Sequence, residues 1–121
     1  MTRVLIIDDQ PNFRRQLRRL LERGGFDVIA EAEDITSAEM LLWSTQPDLA
    51  IIDVLLGTTS GIEGTLRLKN LAPNMRGILV SAFHDHHLNK SAKAVGAEAF
   101  IPKDELDLSI ILSWDSNKEK K

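Results

Sequence analysis

The sequence has 121 residues, enough for one domain and too few for two ordinary ones. It is 43% hydrophobic and 27% charged with a formal net charge of −3, which fits a globular protein and gives no electrostatic case for binding nucleic acid or a membrane. It contains no cysteine, which excludes disulfides and thiol chemistry. Neither a signal-peptide pattern nor an apolar run near the ~20 residues of a membrane span is found, so we expect a cytoplasmic protein.

The first predicted elements are a strand, a helix and a second strand. Residues 4–7 are continuously apolar, as in a strand buried on both faces, and they end at two acids. Pro11 suits the first turn of a helix, an apolar stripe at helical spacing follows it, and glycines at 24–25 end it. Residues 28–32 are less apolar, which is typical of an edge strand.

The second helix carries a start signature around residue 35. We expect Thr36 and Glu39 to form a capping box, in which each side chain binds a backbone N–H of the first turn. Ile35 and Met40 have the spacing of a hydrophobic staple. Pro47 cannot continue the helix and therefore marks its end.

The third strand is the most informative stretch of the chain. Residues 49–52 are apolar, and the strand stops on a single carboxylate, Asp53. We expect residues 57–59 to form a loop. Ser60 and Glu63 then predict a second capping box at the start of the third helix.

The last third of the chain continues the alternation. Residues 77–81 and 99–101 predict a fourth and a fifth strand, separated by a weaker helix. A final helical stripe ends near Trp114. We assign residues 1–116 to one domain and residues 117–121 to a charged, frayed tail.

Strands and helices that alternate in this way predict an α/β fold with a doubly wound parallel sheet, helices covering both faces. The two least apolar strands are the second and the fifth. The flavodoxin-like strand order 2-1-3-4-5 places those two strands at the edges, so we predict a (βα)5 domain with this order.

Polar side chains follow four neighbouring strands of this sheet. Asp8 and Asp9 end the first strand, Asp53 the third and Ser81 the fourth, and Lys103 follows the fifth. Because the carboxyl ends of parallel strands meet at one edge, we expect these groups to converge. The carboxylates would repel one another, and Mg²⁺ relieves such repulsion. A metal, a nucleophilic carboxylate, a hydroxyl and a lysine are the parts that phosphoryl transfer needs.

On these residues the chain resembles the receiver domain of bacterial two-component response regulators, over essentially its whole length. The matching pieces are Asp8-Asp9, Asp53, Ser60-Gly61, Ser81-Ala82, Gly96-Ala97, Phe100 and Lys103. The pair Lys103-Asp104 is typical of NarL/FixJ-type receivers, which usually precede a helix-turn-helix output domain.

The resemblance implies a phosphoacceptor switch rather than an enzyme. Asp53 would accept the phosphoryl group from a phosphohistidine of a sensor histidine kinase. Asp9, Asp53 and the backbone carbonyl of Leu55 would ligate Mg²⁺, and Asp8 would act mostly through water.

The resemblance also implies how the signal would spread. Ser81 and Lys103 would bind the phosphoryl group, and Phe100 would occupy an aromatic switch position whose ring turns inward. The surface made by the fourth helix, the fifth strand and the last helix would then change. A DNA-binding output domain in a longer protein, which would make the switch a transcription regulator, and a homodimer are implied partners.

Two other functions are left open. A degenerate receiver could serve as an unphosphorylated interaction module, because Gly57 stands where many receivers have proline and Pro102 precedes Lys103 rather than following it. A phosphatase of the haloacid dehalogenase type also uses an aspartyl nucleophile, but that family needs Asp-x-Asp after its first strand, whereas Asp8 and Asp9 are adjacent.

Several features outside the strand ends have two interpretations each. His84, His86 and His87 could hold a transition metal or belong to a solvated loop. The first helix is basic, which predicts a solvated face or a docking surface for a kinase; its arginines are Arg14, Arg15, Arg18, Arg19 and Arg23. Trp43 and Trp114 lie on helical stripes, which favours the core or an interface.

One further prediction concerns the lifetime of the phosphoryl group. Leu55 and Phe83 lie two residues beyond Asp53 and Ser81 and are apolar, so neither can orient an attacking water. We therefore expect slow loss of the phosphoryl group.

Overall fold

In the computed structural model, which describes residues 1–115, five parallel strands form one sheet with helices on both faces. The strands are β1 (Arg3–Ile7), β2 (Asp27–Ala32), β3 (Leu49–Asp53), β4 (Arg76–Ser81) and β5 (Ala99–Pro102). The helices are α1 (Pro11–Arg23), α2 (Ile35–Thr45), α3 (Gly61–Leu71), α4 (His87–Ala94) and α5 (Leu108–Ser113), with a 3₁₀ turn at Lys103–Glu105. The tail predicted at residues 117–121 lies outside the described part of the chain.

The strands lie in the order β2-β1-β3-β4-β5, and each neighbouring pair is parallel. This order confirms the predicted flavodoxin-like fold. Alternate side chains of β1 enter different cores, with Leu5 and Ile7 on one face of the sheet and Val4 and Ile6 on the other. All four are fully buried, which explains why a strand in the middle of a parallel sheet reads as a continuous apolar run.

No helix among residues 1–115 is both long enough and apolar enough to cross a membrane.

The start of α2 differs from the prediction. Its N-cap is Asp34, whose carboxylate accepts a hydrogen bond from the Ser37 backbone N–H at 2.8 Å. The capping box at Thr36 and Glu39 is therefore wrong, because the helix has already begun at residue 35. The staple is wrong as well, since Met40 is 74% exposed.

The start of α3 follows the prediction more closely. The hydroxyl of Ser60 accepts a hydrogen bond from the Ile62 backbone N–H at 3.1 Å, so Ser60 is the cap. Within residues 1–115 Glu63 makes no return hydrogen bond to Ser60, so the predicted capping box is wrong in that half. The loop predicted just before it is wrong in part. Residues Leu55–Leu56 and Thr59–Ser60 pair as a short antiparallel hairpin, which turns at Gly57 with a φ of 61°. The sequence did not predict this hairpin, because it depends on a left-handed backbone conformation at a glycine and not on a periodic pattern of apolar residues.

The two tryptophans occupy opposite environments. Trp114 is 5% exposed and belongs to the core between α1, α5 and the sheet, as predicted. Trp43 is 87% exposed on α2, so the core alternative is wrong for it and the interface alternative stays a prediction. When the apolar stripe of a helix is wider than the face that packs on the core, the residues at the margin of the stripe are exposed to solvent.

We expect Trp43→Ala to change the free energy of unfolding by no more than about 0.5 kcal/mol, because little of the ring is removed from water. Urea denaturation measures this. The neighbouring Leu42→Ala variant is the control, since Leu42 is 8% exposed and its loss should be clearly larger. Equal losses in the two variants would contradict the exposed position of Trp43.

Candidate functional site

The carboxyl ends of β1 and β3 bring the predicted acids together. These strands are neighbours in the sheet, and both end at the same edge. One carboxylate oxygen from each of Asp8, Asp9 and Asp53 lies within 4.8 Å of the others. Asp8 and Asp53 are buried, at 1% and 5% exposure, whereas Asp9 is exposed. The expected convergence of acids that are scattered in sequence is therefore present.

Lys103 crosses this cluster from the turn that follows β5. Its Nζ lies 2.8 Å from Asp8 Oδ2 and 3.0 Å from Asp53 Oδ2. The side chain of Lys103 is only 11% exposed, so the two ion pairs are poorly screened by solvent. The ammonium balances part of the negative charge of the three acids.

Two further oxygens of this cluster accept hydrogen bonds from backbone amides. Asp53 Oδ1 accepts a hydrogen bond from the Leu55 N–H at 3.0 Å, and Asp9 Oδ2 accepts one from the Gly57 N–H at 3.2 Å. Both donors belong to the hairpin after β3, so this hairpin fixes the orientation of Asp53. The role predicted for the Leu55 carbonyl stays a prediction.

The acids suit a hard divalent cation. Asp8 Oδ2 is buried and has no donor other than Lys103 among the described residues, which leaves lone pairs free. Carboxylate oxygens at this spacing, with one exposed member, match Mg²⁺, which binds a few carboxylates and keeps several waters. The donor set therefore fits the predicted metal.

Asp8 is the acid whose protonation is most affected by this environment. Burial raises its pKa, and the hydrogen bond from Lys103, the Gln10 backbone N–H at 2.8 Å and the Lys103 charge oppose that rise. The carboxylate of Asp53 raises it further. Charging Asp8 in the folded protein is thus unfavourable relative to the unfolded chain.

We expect Asp8→Asn to stabilise the protein at pH 7 without divalent ions, by about 1 kcal/mol. A raised carboxyl pKa means that the folded state binds more protons than the unfolded state, so wild-type stability falls as pH rises above about 4. The asparagine removes this loss. Urea denaturation in EDTA at several pH values tests it, and a difference between variant and wild type that does not grow with pH would contradict it.

Ser81 lies at the end of β4, beside β3 in the sheet. It is 1% exposed, and its Oγ accepts a hydrogen bond from the Phe83 N–H at 3.1 Å. Its hydroxyl proton is donated to no partner within residues 1–115, so it remains available. Phe100 is 8% exposed and lies in the core with Leu79 and Ala92, so its ring is turned inward in this structure.

The histidine cluster has a different composition from the one the sequence suggested. His84 Nε2 lies 2.8 Å from Asp104 Oδ1, and its Nδ1 lies 3.3 Å from Glu105 Oε2. His86 and His87 are not part of this group as far as the chain is described. Both ring nitrogens face carboxylates, as in a protonated imidazolium, and the hydrogen bond to Asp104 raises the pKa of His84.

Sequence reasoning missed two residues that contact Lys103. Gln10 Oε1 lies 3.2 Å from its Nζ, and the centroid of the Phe13 ring lies 4.1 Å from it. Phe13 belongs to the apolar stripe that follows Pro11, and such a stripe predicts only a buried helix face. The one available signal was its position in the first helical turn after the two acids, beside the edge where the strands end.

Comparison with known proteins decides the family. The model of the response regulator receiver domain matches residues 4–112. The chain belongs to the response regulator receiver family. This family consists of signalling switches of two-component systems rather than classical enzymes. The match favours the receiver interpretation over the haloacid dehalogenase one.

Some relatives of this receiver domain are about as long as this chain, and others are about twice as long. The chain is 32% identical to the chemotaxis protein CheY of Bacillus subtilis over 101 residues, covering 84% of each chain. It is 32% identical over 114 residues to the DNA-binding transcriptional activator EvgA of Escherichia coli, covering 94% of this chain and 56% of EvgA. It thus spans about half the length of EvgA and of other transcriptional regulators that it matches.

A solved structure agrees with this assignment. The signal receiver domain of the response regulator NarL from Mycobacterium tuberculosis has a TM-score of 0.84 and 28% identity to this receiver domain, covering 98% of this chain and 96% of that one.

Proposed function

We propose that this receiver domain accepts a phosphoryl group on Asp53 and serves as the switch of a two-component system. The observation that supports this most directly is the contact of Lys103 Nζ with both Asp53 and Asp8, next to a third carboxylate. The Leu55 backbone N–H and the Lys103 ammonium each bind one oxygen of this buried acid, so its carboxyl group is oriented for attack.

The proposed reaction is a phosphoryl transfer from a sensor histidine kinase. A carboxylate oxygen of Asp53 forms the new bond to phosphorus, and the phosphorus–nitrogen bond of the phosphohistidine breaks, with the electron pair returning to the imidazole. Lys103 would pair with a phosphoryl oxygen, and the free hydroxyl proton of Ser81 would be donated to another.

Asp8, Asp9 and Asp53 would hold Mg²⁺ in this proposal, together with the backbone carbonyl of Leu55. The ion, when bound, would neutralise charge on the phosphoryl oxygens during transfer. The buried lone pairs of Asp8 Oδ2 support this assignment.

The proposed output is a change of the surface formed by α4, β5 and α5. Ser81 and Phe100 would carry the signal, because the first binds the phosphoryl group and the second packs beneath α4. In this structure the ring of Phe100 already lies in the core, so the phosphoryl group would stabilise this packed state rather than create it.

The kinase would dock on the exposed basic face of α1. Arg15, Arg19 and Arg23 are exposed and follow one another at helical spacing, whereas Arg14 and Arg18 pair with Glu31. In a longer protein the partner on the output side would be a DNA-binding domain, as the relationship to EvgA suggests.

Incubation with acetyl phosphate and Mg²⁺, followed by intact-mass measurement, tests the proposed function. We expect one phosphoryl adduct on the wild type and none on Asp53→Asn. Asp27→Asn is the control. Asp27 is an exposed acid at the start of β2, whereas the proposed site lies where the strands end, so its replacement should leave the adduct unchanged.

Removal of the metal gives a second result. EDTA added before the phosphodonor should prevent the adduct, since three acids with a single lysine would repel the incoming phosphoryl oxygens. Failure of the wild type to form any adduct with Mg²⁺ would instead support the unphosphorylated interaction module.

A further inference from the structure

We infer that Phe13 is a positioning residue for phosphoryl transfer, because its ring holds the ammonium of Lys103 against Asp53. This role rests on the proposed function and deepens it. The ring is partly buried on α1, and its centroid lies 4.1 Å from Lys103 Nζ.

The surroundings of Lys103 Nζ leave it little freedom. An ammonium has three N–H donors, and three oxygens surround this one, from Asp8 at 2.8 Å, Asp53 at 3.0 Å and Gln10 at 3.2 Å. The face of the Phe13 ring covers a further side. The side chain of Lys103 is 11% exposed, so water has little access to compete with these contacts.

The ring contributes something that an aliphatic side chain cannot. The negative face of an aromatic ring attracts a cation within about 6 Å of its centroid, and this attraction grows when the cation is desolvated. Lys103 lies on a turn after β5, whereas Phe13 lies in the first turn of α1, so the contact joins two elements that are far apart in sequence.

The electrostatic balance explains why such a contact matters here. Asp8 and Asp53 both attract the same ammonium, and nothing in their charges favours one over the other. A fixed ring beside the ammonium restricts it to positions that reach both. When a phosphoryl group arrives on Asp53, the lysine would have to reach a new oxygen, and the ring would keep it in range.

A set of Phe13 variants separates the ring's electrostatics from its packing. Phe13→Leu keeps an apolar side chain but removes the π face, whereas Phe13→Tyr keeps both. We expect the rate of adduct formation from acetyl phosphate to fall about threefold to tenfold in Phe13→Leu and to be restored in Phe13→Tyr.

Phe26→Leu is the matched control. Phe26 is 4% exposed in the same core, but it lies beyond the C-terminal end of α1, whereas Phe13 lies in the first turn of that helix. Its loss should lower stability without changing the rate per folded molecule.

A second measurement needs no phosphodonor. The ring current of Phe13 should shift the ε-methylene protons of Lys103 upfield in the NMR spectrum, and this shift should disappear in Phe13→Leu, remain in Phe13→Tyr and be unaffected in Phe26→Leu. A general loss of structure would instead change the Lys103 resonances in all three variants.

The outcomes distinguish this role from the proposed function. No adduct on the wild type would overturn both. An adduct that forms equally fast on wild type and Phe13→Leu would overturn only the role of Phe13, as would a lysine resonance that Phe13→Leu does not move. A slower rate in Phe13→Leu, rescued by tyrosine and accompanied by the shift, supports it.

Discussion

A Gly61→Ala variant is expected to lose about 3 kcal/mol or more of its free energy of unfolding. A Cβ atom at Gly61 would lie 1.8 Å from the backbone oxygen of Asp53 and 3.0 Å from the Cα of Val54. Backbone atoms in the buried end of β3 cannot rotate away as a side-chain tip would. The start of α3 must therefore move away from the sheet.

The same contact supports the functional site. The Gly61 N–H donates a hydrogen bond to the Val54 carbonyl at 2.7 Å, immediately after Asp53. Any shift of α3 would pull on the segment that carries Asp53 and on the hairpin that binds its carboxylate. We expect Gly61→Ala to reduce phosphorylation even in conditions where it remains folded.

Gly77→Ala is the control for the Gly61 experiment. Gly77 is buried in β4, but an added Cβ would only reach ordinary contact with Thr65 Cγ2 at 3.7 Å. Its expected change is less than about 1 kcal/mol. Urea or thermal denaturation of both variants compares them directly, and a Gly61→Ala variant as stable as Gly77→Ala would contradict the close approach seen here.

The fold was predictable because strands buried on both faces leave an unambiguous pattern. In β1 and β3 nearly every residue is apolar, since both faces of the sheet are covered by helices. The less apolar β2 and β5 lie at the edges, as expected. Because these strands alternate with helices, the fold had to be a doubly wound sheet, and the flavodoxin-like order is a common one that places the second and fifth strands at the edges.

Local details were predicted less well because several residues compete for the same position. Asp34 and Thr36 can both cap a helix, and their sequence spacing does not say which one has its side chain directed at a free N–H. The hairpin at 55–60 depends on the left-handed turn at Gly57 and on the contact of Gly61 with β3. Such three-dimensional contacts leave no periodic signal.

The acids of the site were predictable from topology, but their partners were not. Asp8, Asp53 and Lys103 meet because the strands that carry them are parallel and neighbouring. Gln10 and Phe13 reach Lys103 through the direction of side chains in the first turn of α1, which sequence spacing does not fix.

A Leu55→Asn variant is expected to shorten the half-life of the phosphorylated domain about tenfold, which corresponds to ~1.4 kcal/mol in the barrier to hydrolysis. The Leu55 side chain is 53% exposed at the mouth of the site, and its own backbone N–H binds the Asp53 carboxylate. An apolar group there can shield the phosphoryl group but cannot bind water. The amide of asparagine can orient a water for attack on phosphorus.

The half-life is measured by intact mass after the phosphodonor is removed. Leu66→Asn is the control, because Leu66 is an exposed leucine on α3, at 48%, and its replacement introduces the same amide away from the acids. Phe83, which is 60% exposed beyond Ser81, is unchanged in both variants and keeps its side of the site apolar. If Leu55→Asn and Leu66→Asn both lose the phosphoryl group at the same rate as the wild type, the side chain at position 55 does not orient the attacking water. The barrier to hydrolysis must then be set by the groups that bind the phosphoryl oxygens.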